Sequence, residues 1–289
     1  MYPHLFGLRF PPTFGLLVVL GFLFGTHIHA KLVNESATDR EREGYAALPV
    51  WVLLGIMSGA RMMYVLVEIL RDSPVGQNYL AKPWEMLFYW EGGLVMYGGA
   101  FGAIAAAMLC IKKYGLPMAY TLDTGAISCY AGLGIGRIGC LMVGDDFGQI
   151  VPSNLDSLPF PLTIQVPDPL PEGSLFGVEN AGRILWNTQI WMSVNAFMIA
   201  KIGHWVFTKR RYAGQSALTM FVMYSVMRSL IESKRGDSVR GLWFDGALST
   251  SQVISIGFGL ICLVLLLVNK GRRDEPQAAQ EEAAPSEAS

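Results

Sequence analysis

The sequence predicts an all-α integral membrane protein of seven transmembrane helices with a small extracytoplasmic cap. Three observations carry that prediction. Hydrophobic residues fill 52% of the 289 positions against 16% charged, with a mean hydropathy of +0.37, a balance too apolar for an ordinary soluble domain. Several runs reach the roughly 20 apolar residues a helix needs to cross a bilayer. Proline recurs through PSNLDSLPFPLTIQVPDPLPEG, which bars a helix there and marks a loop region between spans.

Taken in order, the apolar runs place helices near 13–30, 47–70, 93–112, 116–142, 184–207, 215–232 and 250–269. The first has no basic segment before it and no small-residue cleavage pattern after it, so it reads as a retained helix rather than a removable signal peptide. His27 and His29 form an HxH at its end; the spacing could hold a metal, but a helix end at the membrane interface accounts for it. The sixth run closes in a cluster of charge at Arg228, Glu232, Lys234 and Arg235. Between the fourth and fifth runs, residues 143–183 form the cap, where LTIQV can pair as a short strand. Residues 1–270 thus form one transmembrane domain, and 271–289, GRRDEPQAAQEEAAPSEAS, read as a disordered tail.

Lys and Arg in the connections set the orientation. One alternating set of loops holds twelve: Lys31, Arg40, Arg42, Lys112, Lys113, Lys201, Lys209, Arg210, Arg211, Lys270, Arg272 and Arg273. The other holds seven: Arg9, Arg71, Lys82, Arg183, Lys234, Arg235 and Arg240. The richer side is cytoplasmic, which puts the amino terminus and the cap outside and the carboxyl terminus inside. The net charge of −1 says little about partners, and no nucleic-acid partner is expected. Cys110, Cys129, Cys140 and Cys262 form no CxxC pair, so buried free thiols are expected rather than a disulfide framework or a zinc site.

Charge inside the spans is the functional signal. Arg61, Arg137 and Arg228 each fall within an apolar run, where insertion of an arginine costs about 2.5–3.5 kcal/mol. Structural pairing is open to two of them, Arg61 with Glu68 and Arg228 with Glu232 one turn on. Arg137 stands instead among Gly132, Gly134, Gly136, Gly139, Gly144 and Gly148. A second glycine-rich run, EGGLVMYGGAFGA, surrounds Tyr97. Glycine lets helices touch, and it equally lets a ligand head group approach. Guanidinium forms planar paired bonds to phosphate and stays ionised, so a phospholipid head group is the expected ligand.

These residues resemble the prolipoprotein diacylglyceryl transferase family, whose signature runs approximately G-R-x-G-N-F-x-N-x-E-x-x-G. The chain reads GRIGCLMVGDDFG over 136–148, keeping Gly136, Arg137, Gly139 and Gly148, with Cys140 and Val143 where the family has asparagine and Asp145 where it has glutamate. SGARMMYVLVEI is similar to G-G-R-x-x-Y-V-L, with Arg61 and Tyr64 in place. YWEGGLVMYGGAFG follows W-x-G-G-x-S-F-H-G-G-L-x-G with Tyr97 in place of histidine, followed by Gly98 and Gly99. RSLIESKRGD matches R-x-x-x-E-x-x-R through Arg228, Glu232 and Arg235. LWNTQIW resembles H-P-S-Q-L-Y in Gln189 alone, with Trp186 for histidine and Met192 for the glutamate that follows; Phe14 stands for an amino-terminal tyrosine.

The resemblance covers about residues 14–265 and implies an inner-membrane enzyme. The implied reaction moves sn-1,2-diacylglyceryl from phosphatidylglycerol to the lipobox cysteine thiol of a prolipoprotein, releasing glycerol phosphate, without metal or cofactor. It assigns Arg137, Arg228 and Tyr97 to catalysis. Arg61, Gly98, Gly99, Gly136, Gly139, Cys140, Asp145, Gly148, Gln189, Glu232 and Arg235 line the substrate site. Asp145, Glu232 or the substrate phosphate could take the thiol proton, since an unperturbed tyrosine is a poor acceptor. The replaced positions also suit a relative that binds phospholipid with an altered substrate or without catalysis. A transporter for an anion is the third reading, against which stands the lack of duplicated halves.

Overall fold

The computed structural model describes residues 3, 12–33, 37–88, 92–236, 242–243 and 248–273. Among these, seven helices of 18 residues or more follow the predicted runs: α1 (Thr13–Leu32), α2 (Asp39–Leu70), α4 (Met96–Tyr114), α5 (Met118–Val143), α6 (Thr188–Lys209), α7 (Gln215–Glu232) and α8 (Thr250–Val268). An eight-residue helix, α3 (Pro74–Ala81), follows α2. Four helices, α1, α2, α5 and α8 with its short 3₁₀ extension, are long and apolar enough to cross a membrane. Arg9, Arg240 and the tail from residue 274 onward lie outside the described residues.

Where element ends differ from the sequence reading, local chemistry explains it. α2 begins eight residues before the expected 47 because Thr38 and Glu41 form a reciprocal capping box, so DRERE is helix rather than loop. α4 starts at Met96 rather than 93 because Gly92 and Gly93 adopt φ of +83° and +76°. α6 starts at Thr188 rather than 184, since Ile184–Trp186 is a strand and the Asn187 side chain caps the helix by accepting from the Ile190 amide. That strand, β2, pairs antiparallel with β1 (Thr163–Gln165), the strand expected in LTIQV. Around the hairpin, Val166, Phe176 and Leu185 form a small core with Phe147, Ile164 and Leu170.

The chain divides into two compact units, Leu32–Thr121 and the remainder. In the smaller one, α2 and α4 pack antiparallel through interlocking small residues. Gly55 faces Gly102 and Gly59 faces Gly98, and a Cβ added to any of the four would run into the opposite backbone. Without a hydrophobic drive between helices in lipid, this close backbone approach is what holds them together. Gly102→Ala is therefore expected to cost about 1–3 kcal/mol by overpacking, read as a lowered thermal midpoint of the detergent-purified protein; an unchanged midpoint would refute the close approach.

The larger unit uses the same device once more. Gly21 and Gly25 of α1 lie against Gly132 and Ser128 of α5, and a Cβ added at Gly21 would stand only 2.6 Å from the Gly132 carbonyl oxygen. α5 meets α6 where the Ser193 hydroxyl donates to the Gly134 carbonyl at 2.7 Å. α6 and α7 join where Ser216 donates to the Gly203 carbonyl at 2.6 Å. α7 meets α8 through Phe221 on Phe258 and through Gln252, whose amide donates to the Ser229 carbonyl at 3.0 Å. Two further strands, β3 (Leu242–Trp243) and β4 (Leu248–Ser249), pair antiparallel before α8.

Of the four cysteines, Cys110, Cys140 and Cys262 are buried as expected, whereas Cys129 is exposed on α5. The outward turn of Cys129 fits the face of α5 it occupies, next to buried Ser128 and Tyr130.

Candidate functional site

The larger unit joins five of its charged side chains into one chain of ion pairs. α5 ends at Val143, and Gly144 and Asp146 then take positive φ, +81° and +55°. This reverses the backbone and swings the Asp146 carboxylate back under the helix, a conformation aspartate tolerates better than most residues. Asp146 pairs with Arg137 through one oxygen, and its other oxygen accepts from Arg235 at 2.6 Å. Arg235 also reaches Glu232 at 3.5 Å, and Glu232 forms an ion pair with Arg228 at 2.9 Å. Three guanidinium groups thus alternate with two carboxylates, Arg137–Asp146–Arg235–Glu232–Arg228, leaving one positive charge in excess.

The scaffold around this chain is fixed by backbone. The Gly148 amide donates to the Trp186 carbonyl at 3.1 Å, the Gln149 amide to Lys234 at 2.8 Å, and the Gly236 amide to Phe147 at 3.0 Å. Gly148 therefore lies between two extended segments, and a side chain there would collide with Trp186. Its glycine is required by this approach, which places Arg235 beside Asp146. From α6, Thr188 donates to the Asp146 carbonyl at 2.7 Å and Gln189 to the Asp145 carbonyl at 3.0 Å. The turn is thus held from the start of α6.

Sequence reasoning singles out Asp145 and leaves its neighbour Asp146 unassigned, yet it is Asp146 that pairs with the arginines. Asp145, aligned with the family glutamate, is exposed and accepts from the Asp146 amide at 2.9 Å; the ion pairs belong to Asp146. The carboxylate comes from the next position, where Asp146 takes a left-handed φ of +55°. Tyr224 also escapes it, hidden in an apolar run. Its ring meets that of Tyr130 at 5.3 Å, tilted by 47°.

Unused polar capacity points to a ligand. The buried Nε of Arg137 and the buried Oε1 of Gln189 have no hydrogen-bond partner among the described residues. Arg137 Nη1 otherwise reaches the Cys140 sulfur at 3.9 Å, and Arg228 Nη1 the Met192 sulfur at 3.1 Å. Sulfur is a weak acceptor, so a phosphate oxygen can replace either contact at a gain. Beside Arg137, a side chain at Gly136 would meet open space. At Gly139, by contrast, an added Cβ would stand 3.2 Å from Phe14 and 3.4 Å from Leu17 of α1.

The remaining candidates lie in the smaller unit. Arg61, 3% exposed, donates to the carbonyls of Gly92 at 2.5 Å, Met86 at 2.8 Å, Glu85 at 3.1 Å and Gly93 at 3.3 Å. Its guanidinium also lies over the rings of Tyr64 and Tyr79, at 5.7 and 5.5 Å. So engaged, Arg61 ties α2 to the segment that enters α4. Only the planar fork of arginine matches several carbonyls at once; Arg61→Lys is expected to cost about 1–3 kcal/mol, seen as a lowered thermal midpoint. An unaltered midpoint would show the clamp to be idle. Tyr97 sits half-exposed in the first turn of α4, followed by Gly98 at the packing seam with Gly59 and by Gly99 in ordinary contact with Ile56. Glu68, the partner that the sequence offers Arg61, instead accepts from the Ser73 hydroxyl at 2.5 Å.

Comparison with known proteins bears on this arrangement. The family model described as prolipoprotein diacylglyceryl transferase matches residues 6–268. A phosphatidylglycerol–prolipoprotein diacylglyceryl transferase of Gloeobacter violaceus is 27% identical over 270 residues, 91% of each chain. One from Wolbachia pipientis of Culex pipiens is 26% identical over 260 residues, 88% of this chain and 89% of its own. One from Neisseria gonorrhoeae reaches 30% identity over 141 residues, 49% of this chain and 48% of its own.

Proposed function

The chain belongs to the prolipoprotein diacylglyceryl transferase family, and from that membership we propose that it is a transferase moving sn-1,2-diacylglyceryl from phosphatidylglycerol to the lipobox cysteine thiol of a prolipoprotein. The observation that carries this reading is the paired-arginine chain with an open Arg137 Nε beside Gly136. In the proposed step the thiol sulfur attacks the glycerol carbon bearing the phosphodiester. A carbon–sulfur bond forms, the carbon–oxygen bond to phosphate breaks, and glycerol phosphate leaves with the bonding pair. Charge therefore grows on phosphate oxygen in the transition state, where preorganised guanidinium groups act most strongly.

Arg137 and Arg228 take the phosphate, each exchanging a sulfur contact for an anionic oxygen. Glu232 and Asp146 each lie between two arginines and hold the guanidinium groups in place. The thiol proton passes to the departing phosphate or to exposed Asp145, which lies at the same turn. Gln189 Oε1 accepts from a hydroxyl of the head group. Tyr97, at the position of the family histidine, contributes a hydroxyl to the reaction. Cys140 is a packing residue rather than a nucleophile, because the covalent acceptor is the thiol of the substrate.

The seven long helices are read as seven spans of the bacterial inner membrane, with the amino terminus and the hairpin cap outside. The alternation of Lys and Arg supports that orientation. It sets the ion-pair chain at the outer end of α5 and α7, where a prolipoprotein presents its cysteine after export. The test is complementation of a transferase-depleted bacterium, with mass spectrometry of a lipoprotein amino-terminal cysteine. A diacylglyceryl mass increment is expected; correct membrane expression without it would instead favour a lipid-binding relative that has lost catalysis. Tyr97→Phe in the same strain is expected to lower modification, and full modification would remove the hydroxyl from the mechanism.

A further inference from the structure

Far from the ion-pair chain, at the opposite end of the same two helices, α5 buries a carboxylate that the reaction does not use. Asp123 is 0% exposed. One of its oxygens accepts from the Ala217 amide at 2.7 Å and the other from the Gly214 amide at 2.8 Å. These are the first amides of α7, which has no capping side chain of its own and no acid in its first turn. Gly214, at φ +93°, brings the chain around so that its amide points at Asp123. The cap of α7 is thus supplied by α5, and Arg210 lies 3.8 Å away as a peripheral counter-charge.

The spacing gives this contact a consequence. α5 and α7 run parallel, with Asp123 and Gly214 paired at one end and the Arg137–Asp146–Arg235–Glu232–Arg228 chain at the other. Arg137 lies 14 residues beyond Asp123 (137 − 123), and Arg228 lies 14 beyond Gly214 (228 − 214). At 1.5 Å per residue, both arginines stand about 21 Å from the pinned end, and so at one level. Between the ends, Tyr130 of α5 and Tyr224 of α7 meet ring to ring at 5.3 Å. We infer that Asp123 is a positioning residue: by gripping the first turn of α7 it sets the axial register of α7 against α5 and brings Arg228 level with Arg137.

The inference rests on the proposed transferase reading only for its kinetic arm. Full-length protein in phosphatidylglycerol liposomes is assayed with a lipobox peptide, and turnover is expressed per folded molecule. Because a misplacement near 1 Å can cost about 10²-fold, Asp123→Ala is expected to lower kcat by about 10- to 100-fold. The KM for lipid stays within about twofold, since the arginines that bind phosphate remain present. Asp123→Asn, which keeps the shape and one acceptor oxygen, falls between the two, and it serves alone if the alanine variant does not fold. A purely stabilising cap would reduce the folded fraction while leaving kcat of the folded molecules unchanged, and that result overturns the inference.

A second arm needs no activity. Spin labels at Met142 and Leu230, near the far ends of α5 and α7, report the register directly. Their separation is expected to shift by about one or two residues of helical rise, ~1.5–3 Å, in the Asp123 variants. An unshifted distance overturns the inference whether or not the wild type turns over, whereas a wild type without turnover but with a shifted distance refutes the reaction and keeps the clamp.

Discussion

Arg137→Ala is expected to lower diacylglyceryl transfer by about 10²- to 10³-fold, the loss seen when a preorganised donor to a developing oxyanion is removed. Two consequences combine at this position. The departing phosphate loses the donor with an open Nε, and Asp146 loses one of the two charges that hold it. Arg228→Ala is expected to act similarly through the loss of its phosphate contact and of the partner to Glu232. Lysine at position 137 keeps the charge but not the fork, so it should recover only a small part. Steady-state kinetics with labelled phosphatidylglycerol measures this; a loss confined to KM would mean that Arg137 binds ground state and transition state alike.

The second large effect is expected at Asp146. Asp146→Ala leaves Arg137 and Arg235 facing each other without the carboxylate between them, and breaking such a partly buried arrangement costs up to about 3–5 kcal/mol. Both stability and turnover should fall sharply. Asp145→Ala, one residue away, removes an exposed carboxylate that accepts from the Asp146 amide, and should cost about 1 kcal/mol of stability or less. Paired thermal denaturation of the two variants separates them. Equal destabilisation would place the anchoring charge at Asp145, as the alignment of the signature suggests, and would contradict the geometry of the turn.

The contrast between the two aspartates shows where sequence reading stops. The long helices are legible because apolar run length is a property of the residues alone, and the ends of α1, α5 and α7 fall within a few positions of the expected ones. Arg228 with Glu232 is legible too, since a spacing of four puts both on one helix face. Asp146 is not, because its role depends on a left-handed φ after Gly144, set by contacts from Thr188 and Gln189 more than forty residues on. The glycines divide in the same way. Gly132 proves to be a helix-packing contact and Gly136 an open position, a distinction invisible to a pattern that counts both as small. α3 escapes the sequence reading although Ser73 and Pro74 signal its start, because its eight residues are too few for a hydropathy window.

Tyr224 and Asp123 teach a related point. Each lies in a run that reads as uniform membrane helix, and each gains its meaning from the partner helix: Tyr224 from Tyr130, Asp123 from the bare amides of α7. Polar residues inside spans are costly unless satisfied, so their presence can be read from sequence as a flag. What satisfies them cannot.

The claim on which the account turns is that Arg137 and Arg228, joined through Asp146, Arg235 and Glu232, receive the phosphate that departs from phosphatidylglycerol. Release of glycerol phosphate by the purified protein, incubated with head-group-labelled phosphatidylglycerol and a lipobox peptide, tests it most directly. Release by the wild type that depends on the peptide thiol, and its near-complete loss in both Arg137→Ala and Arg228→Ala, is the expected result; undiminished release from either folded variant would contradict the account.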